Sequence, residues 1–193
     1  MADLLDHFHR MAANNLWSND RLYRAVLALR PGEFEARRTN FFPSIRETLN
    51  HILAVDHLYL EFLEEGPRGA GAFDHFVPFD EAGALFEAQA ASDRRLLAFC
   101  ERIGPDDLDR RVVTDRRVDG KIPERVGDLL AHLFIHQIHH RGQVHAMLAG
   151  TSVPPPQLDE FFLDYDWKLR KAEIERLKLS SRPADTSTLR PGP

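Results

Sequence analysis

Apolar residues recur at intervals of three and four along four long stretches of the chain. This is the period of an α-helix with one buried face, and Pro-Gly or Gly-Pro pairs follow three of the four stretches. The pattern predicts helices over residues 3–29, 44–65, 80–103 and 124–149, and a shorter helix over residues 159–179. We therefore expect an all-α fold in which four long helices enclose one core.

Individual residues mark the expected helix ends. Ser44 followed by Glu47 is a capping-box signature, which predicts that the second helix begins at Ser44. Asp80 is a suitable N-cap for the third helix. Gly150, which is followed by three prolines, is a suitable C-terminal cap for the fourth.

Residues 110–123 break the helical period. Valines flank Thr114-Asp115, which we interpret as a turn region, and Asp119-Gly120 is a second turn signal. Two interpretations stay open, a short β-hairpin and an irregular excursion. Because the segment directly precedes the fourth helix, either form would cover one end of the bundle.

Composition changes this picture little but excludes several functions. Hydrophobic residues make up 43% and charged residues 28% of the 193 residues, as in ordinary globular proteins. The formal net charge of -5 argues against nucleic-acid binding, which usually needs a basic face. The N-terminus is too polar for a signal peptide, and no apolar run approaches membrane-spanning length, so we expect no membrane contact. Cys100 is the single cysteine, which fits a cytoplasmic location.

The fourth predicted helix concentrates the histidines of the chain. Five of the ten histidines fall between His132 and His145. At about 100° per residue, His132, His136, His139 and His140 share an arc about 100° wide. Leucines, valine, phenylalanine and the isoleucines Ile135 and Ile138 continue that arc as an apolar face. Two histidines four residues apart on a helix can bind one metal ion, and this spacing favours a metal site.

The second predicted helix offers a further histidine. His51 and Asp56 fall inside its apolar arc, whereas His57 falls on the polar side. Three imidazoles from two helices would leave coordination positions open, as in catalytic rather than structural zinc sites. The spacing alone leaves His132 and His139 competing for the ligand roles, and it leaves open that these histidines are ordinary surface or core residues.

The first predicted helix carries a polar and aromatic patch at its middle, formed by Asn14, Asn15, Trp17 and Asn19. One interpretation is that Trp17 lies in the core and the asparagines lie at the surface. The other is that the patch is functional. The pattern does not decide between them.

Two segments resemble the DinB/YfiT-like family of metal-dependent proteins. They are TLNHIL, residues 48–53, and HLFIHQIHHRGQ, residues 132–143, and the order of the other elements agrees over residues 1 to 166. The resemblance implies an up-down-down-up four-helix bundle, usually dimeric, with a divalent ion bound by His51, His136 and His140. It implies that His132 and His139 are not ligands. Ile135 departs from the asparagine that is frequent in the family.

The resemblance also implies a division of the chain. Residues 1–168 form the metal-binding bundle, residues 169–179 form a helical extension, and residues 180–193 form a tail that we expect to be disordered.

The chemistry implied by the resemblance is a metal-dependent reaction, either thiol transfer or hydrolysis, on a small molecule or thiol. Zinc and nickel are the metals most expected, and iron or copper also suit three imidazoles. No catalytic residue is assigned, since Asp56 and Asn19 are the only weak acid or base candidates. The alternatives are a non-catalytic stress-response homodimer that binds metal or ligand, and a plain helical scaffold.

Overall fold

A computed structural model describes residues 4–65, 75–116 and 119–179 of the chain. Its helices are α1 (Leu4–Leu27), α2 (Ile45–Glu65), α3 (Ala82–Arg102), α4 (Val126–Leu148) and α5 (Trp167–Leu177), and its strands are β1 (Arg111–Asp115) and β2 (Lys121–Arg125). Short 3-10 turns cover Pro105–Leu108 and Asp164–Asp166. The predicted tail, residues 180–193, lies outside the described residues. Across the described ranges, no helix combines the length and apolarity needed to cross a bilayer.

The four long helices form a bundle in which α1 and α2 each pack against both α3 and α4. Side chains from the start of α1, the ends of α2 and α3 and the start of α4 meet in one cluster, which contains Phe8, Leu63, Phe99 and Val126. At the opposite end, Tyr23 near the end of α1 stacks on Phe86 near the start of α3, with ring centroids 5.3 Å apart. These contacts give the up-down-down-up order and confirm the predicted fold.

The helix ends agree with the sequence signals only in part. The Ser44 hydroxyl accepts a hydrogen bond from the Glu47 backbone N–H at 3.1 Å and donates one to the Glu47 carboxylate at 3.2 Å. The predicted cap of α2 is therefore confirmed. The prediction of Asp80 as a cap is wrong, because Glu81 is the N-cap of α3 and Asp80 instead pairs with Arg46 at 3.1 Å.

At the C-terminal end of α4, Ala149 is the C-cap. Gly150 donates its N–H to the Met147 carbonyl at 3.2 Å but does not adopt the left-handed conformation of a glycine cap.

The segment before α4 is a β-hairpin, the first of the two predicted alternatives. Strand β1 pairs antiparallel with β2, and Thr114 lies opposite Ile122 within this ladder. The predicted turn at Thr114-Asp115 is therefore wrong, since both residues belong to β1. Gly120 has a φ of +79° and supplies the conformation that the actual turn requires. Val112 is buried in the bundle core, so the hairpin covers this end as expected.

The end of the bundle beneath the hairpin has an apolar core, called here the apolar end. Its buried members come from all four long helices and include Phe8, Leu60, Leu63, Phe99 and Leu130. Ile135 and Ile138 do not join a core, because 66% and 51% of their surfaces are exposed. The prediction that they continue the apolar face of α4 is wrong. On α4, apolar residues therefore continue beyond the face that the neighbouring helices cover.

The described residues after Pro156 form a second compact unit. Its helix α5 begins at Trp167, later than the predicted start at residue 159. Lys178, with a φ of 56°, ends the helix in the left-handed conformation. Arg170 donates hydrogen bonds to the carbonyls of Glu160 and Leu163, which anchors the preceding segment to α5.

Candidate metal centre

Three histidines meet between α2 and α4. His51 lies near the start of α2, and His136 and His140 lie one turn apart at and just after the middle of α4, which runs antiparallel to α2. One ring nitrogen from each lies within 4.8 Å of the other two. Among the described residues, this group is the one whose geometry suits a metal ion.

The distances within the group fit the binding of a shared ion. The Nε2 atoms of His51 and His136 are 3.0 Å apart. Two nitrogens bound to one zinc at about 2.1 Å are about 3.0 to 3.4 Å apart for angles of about 90° to 110°. The ring centroids of His136 and His140 lie 4.4 Å apart, and those of His51 and His140 lie 4.6 Å apart. The residues present therefore fit a divalent ion.

Burial keeps these imidazoles in the neutral form that binds metal. It lowers the pKa of His51 to about 4, with a smaller effect from His140. It lowers the pKa of His136 to about 3, and the neighbouring histidines add to the effect. The pKa of His140 is lowered by burial, although its hydrogen bond with Gln143 raises it. All three side chains are thus neutral at neutral pH. They can therefore bind a metal without first losing a proton.

Neighbouring side chains hold the group from two sides. The Phe42 ring, in the segment between α1 and α2, lies 4.3 Å from the His51 ring and 5.6 Å from the His140 ring, centroid to centroid. Nδ1 of His140 and Oε1 of Gln143 are 2.8 Å apart, and Nε2 of Gln143 and Nε2 of His139 are 3.2 Å apart. Gln143 therefore orients His140 through the ring nitrogen that a metal does not need.

The remaining histidines of α4 point elsewhere. His132 stacks on Tyr59, with centroids 5.4 Å apart and planes 7° apart. His139 is exposed and contacts Gln143. Nε2 of His145 lies 3.0 Å from the Pro156 carbonyl oxygen. Neither His132 nor His139 belongs to the three-histidine group, which agrees with the secondary roles that the resemblance implies for them.

Comparison with known proteins identifies the family. The sequence profile of the DinB family matches residues 1–174. The chain belongs to the DinB family. Protein DinB of Bacillus subtilis is 23% identical over 158 residues, which cover 78% of this chain and 90% of that protein. The crystal structure of a DinB-like protein from the same organism superposes with a TM-score of 0.55 at 19% identity, covering 75% of this chain and 95% of the other.

The DinB family match confirms the resemblance seen in the sequence, and the DinB-like crystal structure agrees with the helical fold. The structure brings together the three histidines that the resemblance selects, whereas spacing alone had left four on one arc. Their role as metal ligands stays a prediction, and so does the identity of the metal.

A second constellation beside this centre was largely missed at the sequence level. Seven polar side chains meet in the middle of the bundle and form the buried polar cluster: Asn15, Asn19, Asp56, Gln89, Asp93, Gln137 and Arg141. Each is at most 5% exposed. The signal that could have found them is the presence of polar residues inside apolar helical arcs. On α4, Gln137 and Arg141 lie about 140° and 180° from His132, within the arc of the leucines and Phe134.

Hydrogen bonds connect the buried polar cluster across all four long helices. Gln89 donates to Asp56 at 2.7 Å and to Asp93 at 3.0 Å, and Gln137 also donates to Asp56. Asn19 donates to both carboxylate oxygens of Asp93 at 3.0 Å. The interpretation of Asn14, Asn15 and Asn19 as surface residues is therefore wrong, while Trp17 is in the core as that interpretation held.

Burial governs the charges in this cluster. It raises the pKa of Asp56 to about 8, with a further contribution from the charge of Asp93. It raises the pKa of Asp93 to about 6 and lowers that of Arg141 to about 10. At neutral pH, therefore, Asp56 holds a proton while Asp93 and Arg141 carry opposite charges.

Proposed function

We propose that the protein binds one divalent metal ion through His51, His136 and His140 and uses the remaining coordination positions to act on a small molecule. The observation that supports this is the convergence of three neutral imidazoles from two antiparallel helices. Family membership supports it independently. Three protein ligands leave room for an exogenous one, as in catalytic rather than structural zinc sites.

The chemistry proposed is thiol transfer ahead of hydrolysis. A divalent ion held at this site supplies Lewis acidity, which lowers the pKa of a water or thiol bound to it. The chain's own residues contribute binding and orientation. Gln143 holds His140 in one ring orientation, and the Phe42 ring shields the His51 and His140 rings.

A specific observation favours a second candidate, a non-catalytic metal- or ligand-binding protein. The two acid or base candidates named from the sequence do not belong to the three-histidine group. Asp56 and Asn19 are buried and form hydrogen bonds inside the polar cluster. General acid–base catalysis needs a side chain within hydrogen-bond reach of the substrate. This candidate therefore binds a metal without turning over a substrate.

The experiment that tests metal binding uses protein purified without an affinity tag or chelator. We expect elemental analysis and zinc titration to give one metal per chain. His136→Ala should weaken zinc binding by more than about 100-fold, since loss of a ligand costs more than loss of its hydrogen-bonding partners. His132→Ala is the matched control, because it removes a histidine of the same helix that stacks on Tyr59, and it should bind like wild type. Equal zinc binding by all three proteins would contradict the proposal.

Activity is tested separately on the metal-loaded protein. We expect thiol conjugation, or failing that hydrolysis, to be detected with wild type and His132→Ala and to be lost with His136→Ala. Zinc binding without either activity would favour the non-catalytic candidate.

We further propose that the protein works as a homodimer in the cytoplasm, as the family resemblance implies. Cys100, the single cysteine, is a buried free thiol, and a chain without an intramolecular disulfide fits a reducing compartment. Light scattering on the purified protein tests the dimer, and a mass equal to one chain would contradict it.

A further inference from the structure

Both helices that carry the metal-centre histidines also carry members of the buried polar cluster. On α4, Gln137 directly follows His136 and Arg141 directly follows His140. On α2, Asp56 lies on the same helix as His51. The backbone position of each histidine on α4 is therefore tied to a neighbour whose side chain is fixed inside the core.

One hydrogen bond in the cluster joins the two ligand-bearing helices directly. The Gln137 amide of α4 donates to Oδ2 of Asp56 on α2. Gln89 of α3 donates to the same oxygen at 2.7 Å. If α4 rotated or slid relative to α2, a buried amide would lose its acceptor, which is costly in a core.

Arg141 forms a second anchor, toward the opposite side of the bundle. Its Nη1 donates to the side-chain carbonyls of Asn15 and, at 3.1 Å, of Asn19, both on α1. The amides of these asparagines donate to Asp93 of α3 at 2.9 and 3.0 Å. The helix α4 is thus bonded through buried polar groups to α1 and α2 directly, and through them to α3.

The two histidines of α4 differ in how their rings are held. His140 has Gln143 as a partner for Nδ1. Nδ1 of His136 is buried and has no hydrogen-bond partner among the described residues. Since no bond to Nδ1 fixes the His136 ring, its position depends on where α4 places it, and Gln137 is the neighbouring residue that fixes α4.

We propose that the buried polar cluster is the positioning device of the metal centre, fixing the rotation and axial register of α4 against α2 so that His136 and His140 face His51. The inference rests on the metal binding proposed above. Hydrophobic burial is non-directional and by itself discriminates only weakly between neighbouring registers. Buried polar contacts can select one register, and setting the register of packed helices is the best attested use of such groups.

The protonation of Asp56 makes this proposal testable with an isosteric change. Burial and Asp93 raise the pKa of Asp56 to about 8, so the residue is a neutral acid at neutral pH. Asn at this position keeps a carbonyl oxygen where Gln89 and Gln137 donate, and places an amide where the acid carries its O–H. Asp56→Asn therefore preserves the hydrogen bonds, whereas Gln137→Met removes the link between α2 and α4 at similar volume.

The experiment measures zinc affinity by competition with a chromophoric chelator, and ligand geometry by the visible spectrum of the cobalt-loaded protein. Gln137→Met is expected to bind zinc about 10- to 100-fold more weakly, as for groups that orient metal ligands from outside the coordination sphere, and to change the cobalt spectrum. Asp56→Asn is expected to keep both wild-type values. Gln137→Asn, which retains an amide but shortens its reach, takes the place of Gln137→Met if that variant does not fold, with the same expected loss.

The matched control for lost stability is Leu130→Ala, in the apolar end of the same helix. It should lower the melting temperature of the metal-free protein while leaving zinc affinity and the cobalt spectrum unchanged. Wild-type affinity and spectrum in Gln137→Met would overturn the proposal. So would equal losses in Asp56→Asn and Gln137→Met, because the first preserves the hydrogen bonds.

A measurement on the metal-free protein separates failure of this proposal from failure of metal binding. The His51 and His136 rings, 5.0 Å apart, should give a nuclear Overhauser contact in wild type and in Asp56→Asn that weakens in Gln137→Met. A wild-type protein that binds no zinc but shows this pattern would refute the metal site and support the positioning role. An unchanged contact in Gln137→Met would refute the positioning role alone.

Discussion

The apolar end and the middle of the bundle are built on different physical principles. At the apolar end, the apolar side chains of Phe8, Leu60, Phe99 and Leu130 fill the core. Toward the histidines, the core instead contains the buried polar cluster, in which amides, two carboxyl groups and one guanidinium are connected by hydrogen bonds. The same four helices form both regions, so the difference lies in side chains alone.

This difference separates stability from specificity. Apolar packing stabilises the bundle in proportion to buried area and tolerates small shifts between helices. A hydrogen-bonded polar core adds less net stability but allows one arrangement, because each alternative leaves a buried group unpaired. The directional core lies next to the three histidines, where the position of α4 matters most for chemistry.

The largest effect on stability is expected from removal of the Arg141 guanidinium. Arg141→Met should lower the free energy of unfolding by about 3–5 kcal/mol, because it leaves the buried Asp93 carboxylate without a compensating charge. Chemical denaturation of the metal-free protein measures this. The double variant Arg141→Met/Asp93→Asn should recover at least about 1 kcal/mol through coupling of the two sites. Strict additivity of the two changes would show that the charges of the cluster do not interact.

Truncation of a side chain in the apolar end should lower stability without changing zinc affinity. Leu60→Ala should lower the free energy of unfolding by about 2–4 kcal/mol, since it removes a fully buried side chain and leaves a cavity. Zinc affinity, measured by chelator competition, should stay at the wild-type value because no directional contact to α4 is lost. A fall in affinity as large as that of Gln137→Met would mean that the apolar end and the polar cluster are not mechanically distinct.

The same contrast explains what the sequence could predict. The apolar period specified the four long helices within a few residues, and the family resemblance selected His51, His136 and His140. The helical period places Asn15 and Asn19 inside the apolar arc of α1, but it could not predict the buried polar cluster, because it does not show which groups these amides bond. Their burial depends on partners far away in the chain, such as Asp93 and Arg141. Asp56 was predicted to be buried, but its partners on α3 and α4 could not be read from one helix.

The titration of Asp56 should make the stability of the polar cluster depend on pH. The ordinary pKa of an aspartate is near 4, and burial raises that of Asp56 to about 8 in the folded chain. Between these values the folded chain holds a proton that the unfolded chain has lost. Stability contributed by this group is therefore complete below about pH 4 and is lost as the pH rises to about 8, at up to about 1.4 kcal/mol per pH unit.

Asp56→Asn removes this titration and keeps the hydrogen bonds. The stability of the variant relative to wild type should therefore rise between about pH 5 and pH 8. Denaturation of both metal-free proteins over this range measures the difference, and the histidines titrate equally in both. A constant difference would show that Asp56 ionises normally in the folded protein.

The smallest expected effect comes from the helix cap at the start of α2. Ser44 caps α2 through the Glu47 N–H, and Ser44→Ala should lower the free energy of unfolding by about 1 kcal/mol. Zinc affinity should be unchanged, because the cap fixes the first turn of α2 whereas the Asp56–Gln137 bond fixes α2 against α4. Denaturation and chelator competition on the same preparation test both halves of the prediction. A loss of affinity comparable to that of Gln137→Met would place control of the metal centre in the helix end rather than in the polar core.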